Sequence, residues 1–398
     1  VIVLMSLGWV GWLIRTNWFF VSDDFGQIEY VNETGWGEIA YKAYTVGGPW
    51  GFNRFLGHWI IKLFLNAFGT RVYYWLVAIY LINLANLILV FGLVYRLSRS
   101  KFWSLVAAVI INKFYLEGIS NIHDLMATFW GLAGSFCWLK VVEVKEEREK
   151  FKWAWITACF YLLAMTAKEI AITWLGFWVL ILWVRKGSLE LDDLKRILVV
   201  SLPAWAIARL YFLKSKLLAS ARGQSDYYSW DLNWEVLKMN IDFYGAYLFG
   251  KVGGWGMIIL TGLAGLIKWR YILFLVWFGI AISPYLFMPN RREFYYVYFP
   301  VFYLVVFAAW GASNLTRKYK LNQWLVFGVL LSLFGGRSVF PRFARQSFIN
   351  HQKEAVLAVV NKVEEEIERR EREKWLFPIT VSLEGIPMER DVKLLLDS

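Results

Sequence analysis

Val72-Tyr73-Tyr74-Trp75-Leu76-Val77-Ala78-Ile79-Tyr80-Leu81-Ile82-Asn83-Leu84-Ala85-Asn86-Leu87-Ile88-Leu89-Val90-Phe91-Gly92-Leu93-Val94 is a run of 23 residues without a charged side chain, followed by Arg96, Arg99 and Lys101. As a helix it would extend about 34 Å, a little more than the roughly 30 Å hydrocarbon layer of a bilayer. In lipid a helix is the form such a stretch takes, because it satisfies its own backbone N–H and C=O groups. The basic residues that close it mark a cytoplasmic end.

The rest of the chain repeats this pattern. Of its 398 residues 58% are hydrophobic, the mean hydropathy is +0.44, and the charged residues come in short bursts between apolar runs. A soluble core could not bury so much apolar surface, so hydrocarbon is the expected solvent. The aromatic content of 19%, with 24 Trp, suits side chains that sit at the headgroup level with a polar tip toward water. A net charge of +12 raises nucleic acid as a partner, but the basic residues lie in short loops between apolar runs, where membrane orientation explains them; no nucleic acid is expected. Cys137 and Cys159 both lie inside apolar segments and read as filler, not as a disulfide or redox pair.

Eleven apolar runs can be read: Val1 to Ile14, Val72 to Val94, Phe102 to Leu116, Leu125 to Leu139, Trp153 to Ala167, Ile170 to Val184, Ile197 to Leu213, Val252 to Ile267, Tyr271 to Met288, Phe294 to Ala312 and Leu325 to Phe340. The first lacks a charged n-region and a small-residue cleavage site before Arg15, so it reads as a retained span. Alternate connections are basic: Arg96 to Lys101, Lys140 to Lys152, Arg185 to Arg196, Lys268 to Arg270 and Arg317 to Lys320. The expectation is an all-α polytopic membrane protein of about eleven spans, with a cytoplasmic N-terminus and the other connections extracytoplasmic. Residues 1–340 would form the transmembrane domain. Residues 341–398 change in composition and read as a small extracytoplasmic α+β domain, with a helix at Ala355 to Trp375 and a short strand at Leu376 to Leu383.

The outward connections hold Asp23-Asp24, His123-Asp124, Lys168-Glu169 and Arg292-Glu293. Charges at the edge of a bilayer are costly, so their gathering on one predicted side suggests a reaction centre. Residues 52–68 add an amphipathic helix in which Arg54, His58, Lys62 and Asn66 recur every four residues, expected to lie in the interface with its basic stripe toward headgroups or a bound phosphate. Adjacent carboxylates at Asp23 and Asp24 raise one another's pKa and suit general-base work; the bland alternative is a solvated acidic loop. Asp124 has the competing role of capping the helix it opens, and Lys168-Glu169 that of a mutual ion pair. Arg292 can grip a phosphate or snorkel to headgroups, and Arg209, flanked by apolar residues, needs an anion or carbonyl partner. His58, His123 and His351 show no zinc spacing, and no nucleotide fingerprint is present; a divalent ion on the carboxylates is compatible with the sequence but weakly supported.

In its order of motifs the chain resembles the GT-C class of polytopic glycosyltransferases, and within it the protein O-mannosyltransferase-like enzymes. The resemblance runs from the acidic pair after the first span through Asn53-Arg54-Phe55-Leu56, Asp124-Leu125-Met126-Ala127 and Ala164-Met165-Thr166-Ala167-Lys168-Glu169 to Arg292-Glu293-Phe294-Tyr295-Tyr296. His123 departs from it, standing where a small residue is common. The resemblance implies a polyprenyl-phosphate-linked sugar donor arriving through the membrane lipids and an acceptor hydroxyl on protein, lipid or glycan arriving from outside. It implies Asp23 or Asp24 as base, with Asp23 favoured by analogy, in an inverting displacement. Arg54, Lys168, Arg209 and Arg292 would hold the donor phosphate, and His123, Asp124 and Glu169 would line the acceptor and sugar site. A transporter and a non-catalytic subunit that keeps the transferase fold are the rival readings.

Overall fold

The computed structural model describes residues 23–45, 54–69, 71–112, 121–219, 231–249, 272–288 and 297–335. The expected spans Val1 to Ile14 and Val252 to Ile267, the Arg292-Glu293 cluster, His351 and the domain at 341–398 lie outside them, as do the side chains of Asp23, Asp24 and Arg209.

Among the described residues the chain is all-helical. The helices are α1 (Asp23–Glu33), α2 (Trp36–Tyr44), α3 (Phe55–Phe68), α4 (Val72–Ser98), α5 (Lys101–Asn112), α6 (Ile122–Glu143) and α7 (Glu147–Ala167). A short 3-10 turn at Glu169–Thr173 leads into α8 (Trp174–Lys186), followed by α9 (Leu191–Ala219), α10 (Trp234–Phe249), α11 (Ile272–Leu286), α12 (Tyr298–Tyr319) and α13 (Gln323–Gly335). Among the described residues three stretches are long and apolar enough to cross a membrane: Tyr73–Ser98, Ile122–Glu143 and Tyr298–Tyr319. Four shorter helices, Phe55–Phe68, Lys101–Asn112, Ile272–Leu286 and Gln323–Ser332, are also apolar.

Packing follows from which faces are apolar. Helix α12 is apolar all round and buried along almost its whole length, from Tyr298 through Leu315, so it forms the centre of the bundle. Helices α6 and α7 run antiparallel, joined by the three residues between Glu143 and Glu147. Large side chains of α8 and α11 seat into glycines of neighbouring helices: Trp174 fills the space at Gly131 of α6, Trp178 that at Gly134 of α6 and Trp277 that at Gly176 of α8. Small-into-large packing of this kind brings helices close where lipid supplies no hydrophobic drive to associate.

The bundle carries charge at both ends. Asp124 sits in the first turn of α6 and Glu143 at its last residue, so the two ionic layers lie about 28 Å apart along the helix, close to the roughly 30 Å of a hydrocarbon layer. At the Glu143 end lie Arg96 and Arg185, both reaching Glu143, together with Lys186, Asp193, Arg196 and Glu147. These are residues of the basic loops expected on the cytoplasmic side. The free thiols divide: Cys137 is buried, as filler should be, and Cys159 is exposed.

Candidate functional site

The Asp124 end is built around the break between α7 and α8. Lys168 leaves α7 in an extended conformation (φ −157°, ψ 137°) and the chain then tightens into the 3-10 turn. Neighbouring side chains hold that turn: the Tyr161 hydroxyl donates to Ile172 O (2.8 Å), the Trp277 indole donates to Thr173 O (2.8 Å), and Thr173 Oγ1 meets the Tyr303 hydroxyl (2.7 Å). Consecutive residues of an extended segment point to opposite sides, so Lys168 and Glu169 diverge. Lys168 Nζ donates to Asp124 Oδ2 at 2.5 Å, and the Arg54 guanidinium grips Glu169 with two hydrogen bonds, Nε to Oε2 at 2.9 Å and a second to Oε1. In place of the mutual pair of Lys168 with Glu169, the structural alternative for these residues, two pairs tie the turn to α6 and to the start of α3.

The two pairs differ in access. Lys168 and Asp124 retain 4% and 3% of their side-chain surface, whereas Arg54 retains 17% and Glu169 41%. Crowding by protein works against the Glu169 charge, but the Arg54 guanidinium outweighs it and holds the carboxyl below its usual range. Burial likewise opposes the Arg54 charge, and Glu169 more than offsets it, so the guanidinium stays protonated. Lys168 is pulled below the usual lysine range by burial, with Asp124 restoring part of the loss. Asp124 occupies the first turn of α6, but its carboxylate is engaged by Lys168, which supersedes the capping alternative.

Beside these pairs lies a packed cluster of uncharged polar groups. The rings of His58 and His123 meet edge to face at 4.8 Å, and Tyr30 approaches His58 at 5.0 Å. Neither nitrogen of the buried His58 ring has a hydrogen-bond partner. Burial, reinforced by the Arg54 charge, pushes the pKa of His58 down to about 3, so it is neutral. His123 Nε2 lies 3.4 Å from Gln27 Oε1. Its Nδ1 edge packs against Gly57, where an added Cβ would stand 1.9 Å away. Glycine is required there for the ring to fit.

The stripe on α3 is thus corrected. Arg54 binds Glu169, His58 is buried against Tyr30 and His123, and Lys62 donates to Val31 O at 2.6 Å. From Arg54 through Lys62 the stripe faces protein, with α1 packed over it and supplying Tyr30 and Val31 O, while Asn66 at its far end is exposed.

Helix α1 opens on Asp23 and Asp24. Gln27, which reaches His123, follows them by four and three positions, so all three positions share one side of α1. Arg209 lies on α9, whose described contacts include α7 and α8. Two further contributors lie outside the residues expected to form the site. The Tyr285 phenol, near the end of α11, lies close enough to Glu169, Asp124 and Arg54 to feel their charges. Asn86, on the apolar α4, donates to Leu125 O at 3.0 Å and so fixes the residue after Asp124. Uncharged polar residues inside apolar helices look the same whether they serve packing or a site.

Among the described residues no three His, Cys, Asp or Glu side chains are gathered to hold a metal ion. Comparison of the chain with protein-family models, with curated proteins and with solved structures finds no match.

Proposed function

We propose that the chain is an integral membrane glycosyltransferase of the GT-C type, moving a sugar from a polyprenyl-phosphate donor to an acceptor hydroxyl. In this reading about eleven helices cross the membrane, the N-terminus is cytoplasmic, and the reaction takes place at the extracytoplasmic, Asp124 end. The observation that carries the reading is the convergence of Arg54, His123, Asp124, Lys168 and Glu169, drawn from three separate connections, at one end of a bundle whose ionic layers match a bilayer in spacing. Residues this costly to keep beside lipid are retained for what they contact.

Asp23 or Asp24 removes the proton of the acceptor hydroxyl as its oxygen attacks the anomeric carbon. The bond from that carbon to the phosphate oxygen breaks, and the polyprenyl phosphate leaves with the electron pair, inverting the configuration. Arg54, Lys168, Arg209 and Arg292 are the cations available to the leaving phosphate. Loss of a general base costs about two to four orders of magnitude in rate.

The test is transfer of radiolabelled sugar from the polyprenyl-phosphate donor in membranes that hold the native acceptors, comparing wild type with Asp23→Ala, Asp24→Ala and the double variant. Transfer should be abolished with folded protein still present. Full activity in all three variants would falsify the reading. One observation favours a second reading, a non-catalytic subunit with a transferase-like fold: the Asp124 and Glu169 carboxylates are both engaged in internal ion pairs. That reading predicts no transfer by the wild type and loss of complex assembly on disrupting either pair.

A further inference from the structure

Two ion pairs lie side by side at the Asp124 end, and only one of them is reachable. Lys168 and Asp124 are sealed, while Glu169 leaves 41% of its side chain open where it clasps Arg54. The clasp uses both carboxylate oxygens against Nε and a terminal nitrogen of the guanidinium. A phosphate presents two oxygens in the same fork, and the planar guanidinium binds either group in the same way. The backbone of Glu169 is the first residue of a turn held by Tyr161, Trp277 and Tyr303. Only its side chain is at liberty to leave, and its open face is the way out.

We infer that Glu169 is a built-in stand-in for an anionic ligand: a phosphate ester binds Arg54 by displacing the Glu169 carboxylate, which swings outward while the Lys168 and Asp124 pair stays closed. This rests on the proposed function in so far as the phosphate is that of a polyprenyl phosphate. It adds that the resting site is self-occupied, so that ligand affinity is set by competition within the protein. The charges agree with an exchange. The four ionised groups Arg54, Lys168, Asp124 and Glu169 sum to zero, and since both cations are already engaged by carboxylates, an anion added without displacement would bring charge that neither pair offsets.

The experiment is titration of the purified full-length chain, in detergent, with polyprenyl phosphate and separately with inorganic phosphate. Glu169→Gln keeps the size and removes the charge, and should tighten binding of the lipid phosphate roughly tenfold, the ratio expected when a competing charged hydrogen bond of ordinary strength is lost. Glu169→Asp, too short to close both bonds, should tighten it less, and it keeps the test informative if the first variant fails to fold. Arg54→Gln should abolish binding, and Arg54→Lys should weaken it by losing the fork. A gain confined to the lipid assigns the site to a membrane-borne phosphate, and the same gain with inorganic phosphate assigns it to phosphate as such; both support displacement. Unchanged or weaker binding in folded Glu169 variants, or binding that survives Arg54→Gln, overturns the inference. Tightened binding without sugar transfer by the wild type would leave the stand-in role intact and remove the transferase. Transfer with unaltered binding in the Glu169 variants would remove the stand-in alone.

Discussion

The two ends of the bundle hold their charges in contrasting ways. At the Glu143 end ions are shared in a network that runs from buried to exposed: Glu143 takes Arg96 at 3.8 Å and Arg185 at 3.4 Å, and the buried Asp193 takes both Lys186 and the buried Arg196 at 2.8 Å. Glu147 gives Arg196 a further carboxylate while remaining 56% exposed. At the Asp124 end the Lys168 and Asp124 pair is shut away from water, next to buried imidazole nitrogens without hydrogen bonds. The first arrangement ties helix ends together through shared partners that reach the surface at Glu143 and Glu147, and basic residues there also set orientation. The second has no stability argument in its favour, since an apolar pair of the same volume would hold the helices as well or better. Both ends thus hold a buried pair, but the one at Asp193 is linked through Arg196 to the exposed Glu147, and the proposed function reads the charges at Asp124 as kept for chemistry or recognition.

The largest effect should come from removing one member of the sealed pair. Asp124→Ala takes its carboxylate away from the buried Lys168 ammonium in a low-dielectric interior and should cost about 3–5 kcal/mol. Thermal unfolding of the detergent-solubilised protein measures this. The double replacement Asp124→Leu with Lys168→Met should recover most of the loss while leaving no transfer activity. A double variant that stays as unstable as the single would mean that the pair is needed to hold the bundle together, and the contrast between the ends would lose its meaning.

Acid should act next, and first at the same end. His58 is neutral in the fold, with its pKa pushed down to about 3, while in the unfolded chain it takes up a proton near 6.5. Its contribution is complete above pH 6.5 and is lost as the pH falls toward 3. By pH 5 the loss should be about 2 kcal/mol. Unfolding measured at pH 7 and pH 5 should show this drop in the wild type and a flatter profile in His58→Asn, whose side chain does not titrate. An identical drop in both would place the acid sensitivity elsewhere.

Much of this architecture was legible in the sequence. The uncharged run from Val72 to Val94 with basic residues after it became α4, and the break between two apolar runs at Lys168-Glu169 became the turn that organises the site. Pairing was not legible. Two adjacent opposite charges suggest one another as partners, but an extended Lys168 sends its side chain toward α6 while that of Glu169 meets α3. The spacing of Arg54, His58 and Lys62 correctly gave α3 a distinct polar face, yet periodicity does not say whether such a face meets water or a buried site. Gln27 and Tyr285 were silent because neither carries a charge that an apolar context would make conspicuous.

Close packing offers a finer comparison. Gly57→Ala places a methyl group 1.9 Å from His123 Nδ1, against a ring that is fully buried and has no room to retreat. Overpacking of this kind costs about 1–3 kcal/mol and should also displace His123 from Gln27, lowering transfer beyond what the stability loss explains. Gly92→Ala, nearer the other end, meets only the tip of the partly exposed Phe136 ring at 2.8 Å. That ring can tilt, so the cost should stay below about 1 kcal/mol. Equal costs at the two glycines would show that both ends are equally rigid.

The smallest effect should follow Glu143→Ala. Its loss deprives Arg96 and Arg185 of a carboxylate, but neither is stranded: Arg96 lies 5.5 Å from the Phe136 ring centre, and Arg185 donates to Arg96 O at 2.9 Å. Glu143 is 30% exposed, and ion pairs in such positions are worth about 0–1 kcal/mol and weaken further with salt. Thermal unfolding should register a loss under about 1 kcal/mol that shrinks in high salt, with Asp124→Ala unaffected by the same salt because its pair is sealed. A loss at Glu143 that rivals the one at Asp124 would mean that the two layers do the same mechanical work, and burial alone would then explain why the charges at the site are costly to remove.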